Sequence, residues 1–89
     1  MKITDEKMTK AALTTRYVIN QGSPIVNVIY DEDGDWQFLG EEEIDESDAV
    51  VVSIREILEH DITLCGIPEL NYGQSAVRDN INAPWKVEL

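Results

Sequence analysis

The sequence predicts an α+β fold, in which an antiparallel sheet is built around a central hairpin and one main helix packs on a face of that sheet. Three observations indicate this class. An Asp33-Gly34 pair stands between two strand-like runs, IVNVIY at 25–30 and WQFL at 36–39. A helix-start signal lies at Ser53, and a further strand pattern, QSAVR, occupies 74–78.

The hairpin is the centre of this prediction because Asp-Gly favours a tight type I′ turn, which needs positive φ at both central residues. A two-residue turn or a four-residue loop pairs Asp31 with Trp36, and Ile29 then faces Phe38; a three-residue bulged loop would change this register. Strand alternation sorts the side chains into two faces, with Trp36 and Phe38 expected in the core. One face is predicted to hold Ile25, Ile29, Trp36 and Phe38, and the other Val26, Val28, Tyr30 and Leu39.

The segments around the hairpin have weaker patterns. Residues 1–10 are polar and are expected to form a loose leader, so that 11–89 make a single α+β domain. Residues 11–15 are predicted to be a strand, and residues 16–20 a turn or short helix. EEEIDESD, at 41–48, has six acids and suits an exposed loop, whereas AVVV, at 49–52, suits a strand buried on both faces.

The clearest helix signal begins at Ser53, where Glu56 three residues later completes a capping box. The predicted helix buries one apolar stripe on the sheet and exposes the charged residues between its members. Asp61 is expected to cap a second short turn that runs to Cys65. The predicted stripe consists of Ile54, Ile57, Leu58 and Ile62.

The formal net charge is -11 at pH 7, from 18 acidic and 7 basic residues. This charge repels nucleic acid, anionic membranes and acidic ligands, so the sequence argues against them as direct partners. A basic protein or a cation is electrostatically favoured. The same acids are also typical of a surface that only keeps a small protein in solution.

Cys65 is the only cysteine, which excludes an intrachain disulfide and a cysteine-rich zinc site. It lies between apolar residues and is expected in the core. The polar N-terminus lacks the apolar segment of a signal peptide, and no run approaches the roughly 20 apolar residues of a membrane span. The expected location is the cytoplasm.

The sequence contains no catalytic constellation, since its single histidine, His60, and Cys65 are five residues apart across a predicted helix end. His60 is expected to interact with the helix dipole. Carboxylates at positions 1, 3, 5 and 12 of a possible EF-hand loop suggest calcium, but Trp36 occupies the position that requires glycine. No metal or cofactor site is therefore predicted. The four carboxylates are those of Asp31, Asp33, Asp35 and Glu42.

Two functional interpretations remain open at this point. Arg78 and Trp85 suit a stacked closure of the last strand, but arginine and aromatic residues are also favoured interface anchors. The preferred interpretation is a non-enzymatic, acidic protein-interaction domain; the alternative is a small-molecule or metal-binding domain, with or without catalysis, in a cleft beside Trp36, Arg78 and Trp85. The predicted partner-binding residues are Asp33, Asp35, Trp36, Tyr72, Arg78 and Trp85.

An ordered series of segments supports the first interpretation: TTRYV, GSPIVNVIYDEDGDWQFL, AVVVSIREILEHD, YGQSAVRD and APWKVE. Their order resembles the immunity-protein-33-like domain family of small bacterial proteins, over nearly all of residues 11–88. The resemblance brings no catalytic residues. It implies a regulator-like or immunity-like protein that binds a toxin and blocks its active site, and an acidic surface suits a basic toxin.

Overall fold

The computed structural model describes all 89 residues, from Met1 to Leu89. Six strands and two helices form the domain, together with three short 3-10 turns at Ile3–Asp5, Glu46–Asp48 and Ile62–Gly66. The strands and helices follow the chain in this order: β1 (Ala11–Thr15), α1 (Arg16–Gln21), β2 (Asn27–Tyr30), β3 (Trp36–Leu39), β4 (Ala49–Ser53), α2 (Ile54–His60), β5 (Gln74–Val77) and β6 (Lys86–Glu88).

All six strands belong to one sheet, in the order β4-β1-β3-β2-β5-β6. The predicted α+β class is confirmed, with one difference: the sheet is mixed, because β1 runs parallel to β3 while every other neighbouring pair is antiparallel. The predicted hairpin, β2–β3, lies at the centre of the sheet. None of the helices reaches the length and hydrophobicity that a membrane crossing requires.

The hydrophobic core lies against one face of the sheet. Side chains from alternate positions of the strands meet there with the buried stripe of α2 and with residues of the Ile62–Gly66 turn. The members that point from the sheet into this core are Ala12, Val28, Tyr30, Trp36, Phe38, Val52 and Ala76. The intervening strand residues therefore lie on the opposite face, which we call the open face.

The hairpin register differs from the prediction by one residue. Tyr30 pairs with Trp36 and Val28 with Phe38, so Ile29 faces Gln37 instead of Phe38. The cause is a three-residue bulged loop. Gly34 has a φ of +81°, and no other residue of the loop has a positive φ, whereas a type I′ turn would need two such residues. Because a one-residue shift moves side chains to the other face, Val28 and Tyr30 join Trp36 in the core and Ile29 lies on the open face.

The helix α2 begins as predicted. The Ser53 hydroxyl accepts from the Glu56 N–H at 3.1 Å, and the Glu56 carboxylate accepts from the Ser53 N–H at 2.9 Å. Ile54, Ile57 and Leu58 are buried, which confirms most of the predicted stripe. Ile62 is 73% exposed because α2 ends at His60 and the chain turns before reaching it.

Burial was predicted wrongly for the strand β4 and for Cys65. The strand β4 is not buried on both faces, because it forms an edge of the sheet and leaves Val51 69% exposed. Cys65 is exposed, because the 3-10 turn that Asp61 caps, as predicted, has a period of three and buries Leu64 and Ile67 instead.

The two ends of the chain are more ordered than the sequence indicates. Residues 1–10, expected as a loose leader, pack on the domain: Ile3 is fully buried, and the Met1 backbone exchanges hydrogen bonds with that of Leu70. At the other end, QSAVR forms β5 as predicted but is not the last strand. The short strand β6 follows it and pairs along β5.

Candidate functional site

The predicted acidic turn is a well-defined structure that spans Asp31 to Asp35. The Asp31 carboxylate oxygen Oδ1 accepts hydrogen bonds from the Asp33 N–H at 2.9 Å and from the Asp35 N–H at 3.0 Å. The Asp31 carbonyl accepts from the Gly34 N–H, and the Asp31 N–H donates to the Asp35 carbonyl. One side chain thus organises the loop, in the manner of an Asx turn.

Three carboxylates converge at this turn. Oxygen atoms from Asp31, Asp33 and Asp35 lie within 4.8 Å of one another. Asp33 and Asp35 are exposed, and none of the three forms an ion pair with a lysine or arginine. The turn therefore presents concentrated, unneutralised negative charge to solvent.

Glu42, the fourth carboxylate of the EF-hand spacing, does not join this group. It accepts a hydrogen bond from the Ser23 hydroxyl at 2.6 Å. The group of carboxylates close enough together to share a metal ion contains only the three aspartates of the turn. Trp36, at the position that an EF-hand reserves for glycine, is fully buried in the core. The EF-hand-like spacing of the four carboxylates therefore lies in a β-hairpin and does not form an EF-hand loop.

A polar network fixes the turn to the N-terminal segment. The Lys10 ammonium donates to the Gly34 carbonyl and lies 3.5 Å from the Glu6 carboxylate. Trp36 Nε1 donates to Glu6 Oε2 at 3.0 Å. Burial raises the pKa of Glu6, but these hydrogen bonds and the Lys10 charge outweigh it, so that this pKa lies below its ordinary value. The network orders the turn without forming an ion pair to any of its three carboxylates.

Tyr72 lies beside the acidic turn, stacked on Tyr30 with ring centroids 5.3 Å apart. Tyr72 as a whole residue is 67% exposed, whereas Tyr30 is buried. Burial and the neighbouring Tyr72 phenol raise the pKa of Tyr30 above its ordinary value. Among the predicted partner-binding residues, Asp33, Asp35 and Tyr72 are therefore both exposed and close to the turn.

The other three predicted partner-binding residues make contacts inside the fold. Trp36 is fully buried, and its only polar group is used by Glu6. Arg78 is buried: it bonds the Ile25 carbonyl through Nε at 2.9 Å and Asp61 through Nη2 at 3.0 Å, and its guanidinium lies 4.1 Å from the centre of the Trp85 ring. This arrangement is the stacked closure considered in the sequence analysis.

A shallow concavity of about 300 Å³ lies next to the acidic turn, across β4, β1 and β3. Asp31 and Asp35 line one side of it, and Ala11, Leu13 and Val51 provide an apolar surface. Sequence reasoning missed this feature, because it depends on the order of three strands that are not consecutive in the chain. The only local signal for it in the sequence was the alternation of side chains between the two faces of each strand.

Comparison with known protein families, with curated proteins and with solved structures finds no match to this chain.

Proposed function

We propose that this protein is an acidic interaction domain that binds a basic protein through the turn at Asp31–Asp35 and the exposed Tyr72. The observation that carries the proposal is the group of three carboxylates that the fold holds together and that form no ion pair with a lysine or arginine, since the nearby Lys10 pairs with Glu6. Like charges held close together are electrostatically unfavourable, and a cationic partner relieves that repulsion.

The geometry supports recognition rather than solubility alone. Solubilising acids need no fixed arrangement, and three of the five acids in residues 41–47, Glu41, Glu43 and Glu46, have exposed carboxylates without a hydrogen-bond partner in the chain, whereas Glu42 and Asp45 have one. The Asp31–Asp35 turn is instead fixed by its own hydrogen bonds and by Lys10. A preorganised charged surface loses little conformational entropy on binding and speeds the encounter with an oppositely charged partner.

The resemblance to the immunity-protein-33-like family gives this proposal a biological form. An immunity protein binds one toxin and blocks its active site, and a basic toxin would complement a chain with a net charge of -11. The location proposed for this interaction is the cytoplasm.

The alternative, a small-molecule or metal-binding domain, has weaker support. The cleft expected beside Trp36, Arg78 and Trp85 does not form. Trp36 lies at the level of Gln74, at the start of β5, whereas Arg78 follows the other end of that strand. Arg78 and Trp85 stack on each other away from Trp36, so the three residues offer no common binding site.

The test is quantitative affinity capture from a lysate of the source organism, with the purified domain as bait. The variant Asp33→Asn/Asp35→Asn removes two of the three carboxylates, and Glu41→Gln/Glu43→Gln makes the same change in charge in the exposed acidic loop. We expect the wild type and the loop variant to retain one basic protein that the turn variant loses, with a bound fraction that falls as salt is raised. Equal capture by both variants, or no captured basic protein, would overturn the proposal.

A further inference from the structure

The open face of the sheet has no helix packed on it. Along one row across the strands, Val51 lies opposite Leu13, Leu13 opposite Gln37, and Gln37 opposite Ile29. These side chains are half-buried by one another or exposed, and none belongs to the core cluster. An antiparallel sheet commonly leaves one face in water, but that face is then normally polar, whereas three of these four residues are apolar.

Val51, Leu13 and Gln37 of this row also line the concavity of about 300 Å³ beside the acidic turn. Its lining combines two kinds of residue: the aliphatic Leu13 and Val51, and the acidic Asp31 and Asp35, whose carboxylate oxygens lie within 4.8 Å of each other. No lysine or arginine lines it, and Lys10, whose ammonium donates to the Gly34 carbonyl of the neighbouring turn, forms its ion pair with Glu6 and not with these aspartates. The residues that line the concavity therefore include no cationic partner for Asp31 and Asp35.

An arginine side chain matches both kinds of residue. Its methylene groups cover apolar side chains while its charged end remains at a polar edge, and its planar guanidinium can bond two carboxylates at once. Lysine has a similar stem but a single compact charge, so it satisfies the paired carboxylates less well. A second copy of the chain is disfavoured as the occupant, because it also carries a net charge of -11.

We propose that the concavity between Val51, Leu13 and Asp35 receives an arginine side chain from an extended segment of the basic partner. This inference rests on the proposed function and adds to it a specific contact surface and a preferred residue. Ile29, the one member of the row that does not line the concavity, then contacts a residue next to that arginine.

The experiment uses the intact, isotope-labelled protein and three blocked pentapeptides, which place arginine, lysine or uncharged citrulline between two valine-threonine pairs. Amide chemical shifts in two-dimensional NMR spectra report both affinity and location. We expect the arginine peptide to shift the amides of Leu13, Asp35, Gln37 and Val51 saturably. The citrulline peptide should bind about tenfold more weakly or not at all, because a charge-assisted hydrogen bond is lost.

Two matched pairs of variants locate the contact. Val51→Lys puts a cation at the edge of the concavity, and Ala49→Lys makes the same change on an exposed residue of the same strand that does not line it. Asp35→Asn removes one lining carboxylate, and Glu43→Gln removes one from the exposed loop. We expect Val51→Lys and Asp35→Asn each to weaken arginine-peptide binding about tenfold, and the two controls to change it less than twofold.

The inference is overturned if the arginine peptide causes no saturable shift in the named amides, if citrulline binds equally well, or if each control weakens binding as much as its partner variant. The inference is also overturned if the free protein sediments as a dimer in which the open faces of two copies contact each other. Its failure is distinguishable from that of the proposed function. If a basic protein is captured through Asp33 and Asp35 but binds Val51→Lys as well as wild type, the proposed function holds and the concavity is not its contact.

Discussion

Replacing Asp61 by asparagine should strongly destabilise the domain, because it removes the counter-charge of a buried arginine. The Arg78 side chain is 1% exposed, and Asp61 is the only acidic group with which it forms an ion pair, at 3.0 Å. The other hydrogen-bond partners of the guanidinium are the neutral oxygens of Ile25, Thr63 and Ile81. Asparagine keeps the shape of the side chain, but it has one oxygen where the carboxylate uses two, Oδ1 for the cap at Thr63 and Oδ2 for Arg78, so it can keep only one of these contacts.

The size of the effect follows from these contacts. Removing one partner of a buried ion pair costs about 3–5 kcal/mol, and the single amide oxygen can bond Arg78 only by giving up the cap at Thr63, a hydrogen bond of similar size to the one gained, about 1 kcal/mol. The expected loss in the free energy of unfolding is therefore roughly 3–5 kcal/mol. A domain of 89 residues has a total of only about 4–13 kcal/mol, so the variant should melt at a much lower temperature than the wild type.

Urea unfolding followed by circular dichroism and tryptophan fluorescence measures this loss. The control is Asp79→Asn, which makes the same change in charge at an exposed neighbour of Arg78 and should alter stability by less than about 0.5 kcal/mol. In an Arg78→Met background, Asp61→Asn should cost much less, because the buried cation is gone. A loss below about 1 kcal/mol for Asp61→Asn in the wild-type background, with an unchanged denaturant slope, would refute this account of Arg78.

Three further predictions concern the turn and the exposed thiol. Glu6→Gln removes a carboxylate whose pKa in the folded protein is lowered by hydrogen bonding to Trp36 and by Lys10. The stability that this carboxylate contributes should be complete above about pH 5 and should disappear as the pH falls through the folded pKa. Unfolding curves of the wild type and of Glu6→Gln from about pH 7 to about pH 3 measure this. Gly34→Ala should cost about 1–2 kcal/mol in thermal or urea unfolding, because the backbone at φ +81° disfavours a Cβ. Cys65 should react with a thiol reagent in the folded protein at a rate close to that in denaturant, since it is exposed.

Each of these predictions has a clear contrary result. A difference between wild type and Glu6→Gln that stays constant down to pH 3 would show that the carboxylate charge does not stabilise the fold. For the turn, Gly66→Ala is the control, because its Cβ would meet no atom within 4 Å and its φ is not positive; an equal loss for both alanine variants would contradict the bulged-loop geometry. Modification of Cys65 only after unfolding would place the thiol in the core.

The sequence predicted the fold class and the main elements because those features depend on local patterns. The Ser53–Glu56 capping box, the strand at residues 11–15 and the core positions of Trp36 and Phe38 each follow from residues close together in the chain. The hairpin register did not follow, since Asp33-Gly34 is compatible with both a two-residue turn and a three-residue bulged loop. The hydrogen bonds from Asp33 and Asp35 to the Asp31 carboxylate accompany the bulged form.

Burial was predicted less well wherever it depends on the order of strands or on helix type. A run such as AVVV looks the same in a central strand and in an edge strand, so the exposure of Val51 could not be derived from it. Cys65 was assigned to the core from its apolar neighbours, but the tighter 3-10 period turns it outward. Ile3 lies in a segment that is mostly polar, and its burial depends on contacts with the Ile62–Gly66 turn, far along the chain.

The candidate site divides in the same way. Asp33, Asp35 and Tyr72 could be identified from composition and turn chemistry, and the structure leaves them exposed. Trp36 and Arg78 were chosen as interface anchors for their residue type alone, yet both are used inside the fold. The concavity beside Val51 needed the strand order β4-β1-β3, which no local pattern contains.

Hydrogen–deuterium exchange of the domain, alone and with the basic protein that it captures, tests the central claim most directly. The account predicts slower exchange on binding in the Asp31–Asp35 turn and in the segment around Val51, with the amides of α2 unchanged. Protection confined to α2 and the Ile62–Gly66 turn, on the opposite side of the sheet, would contradict it.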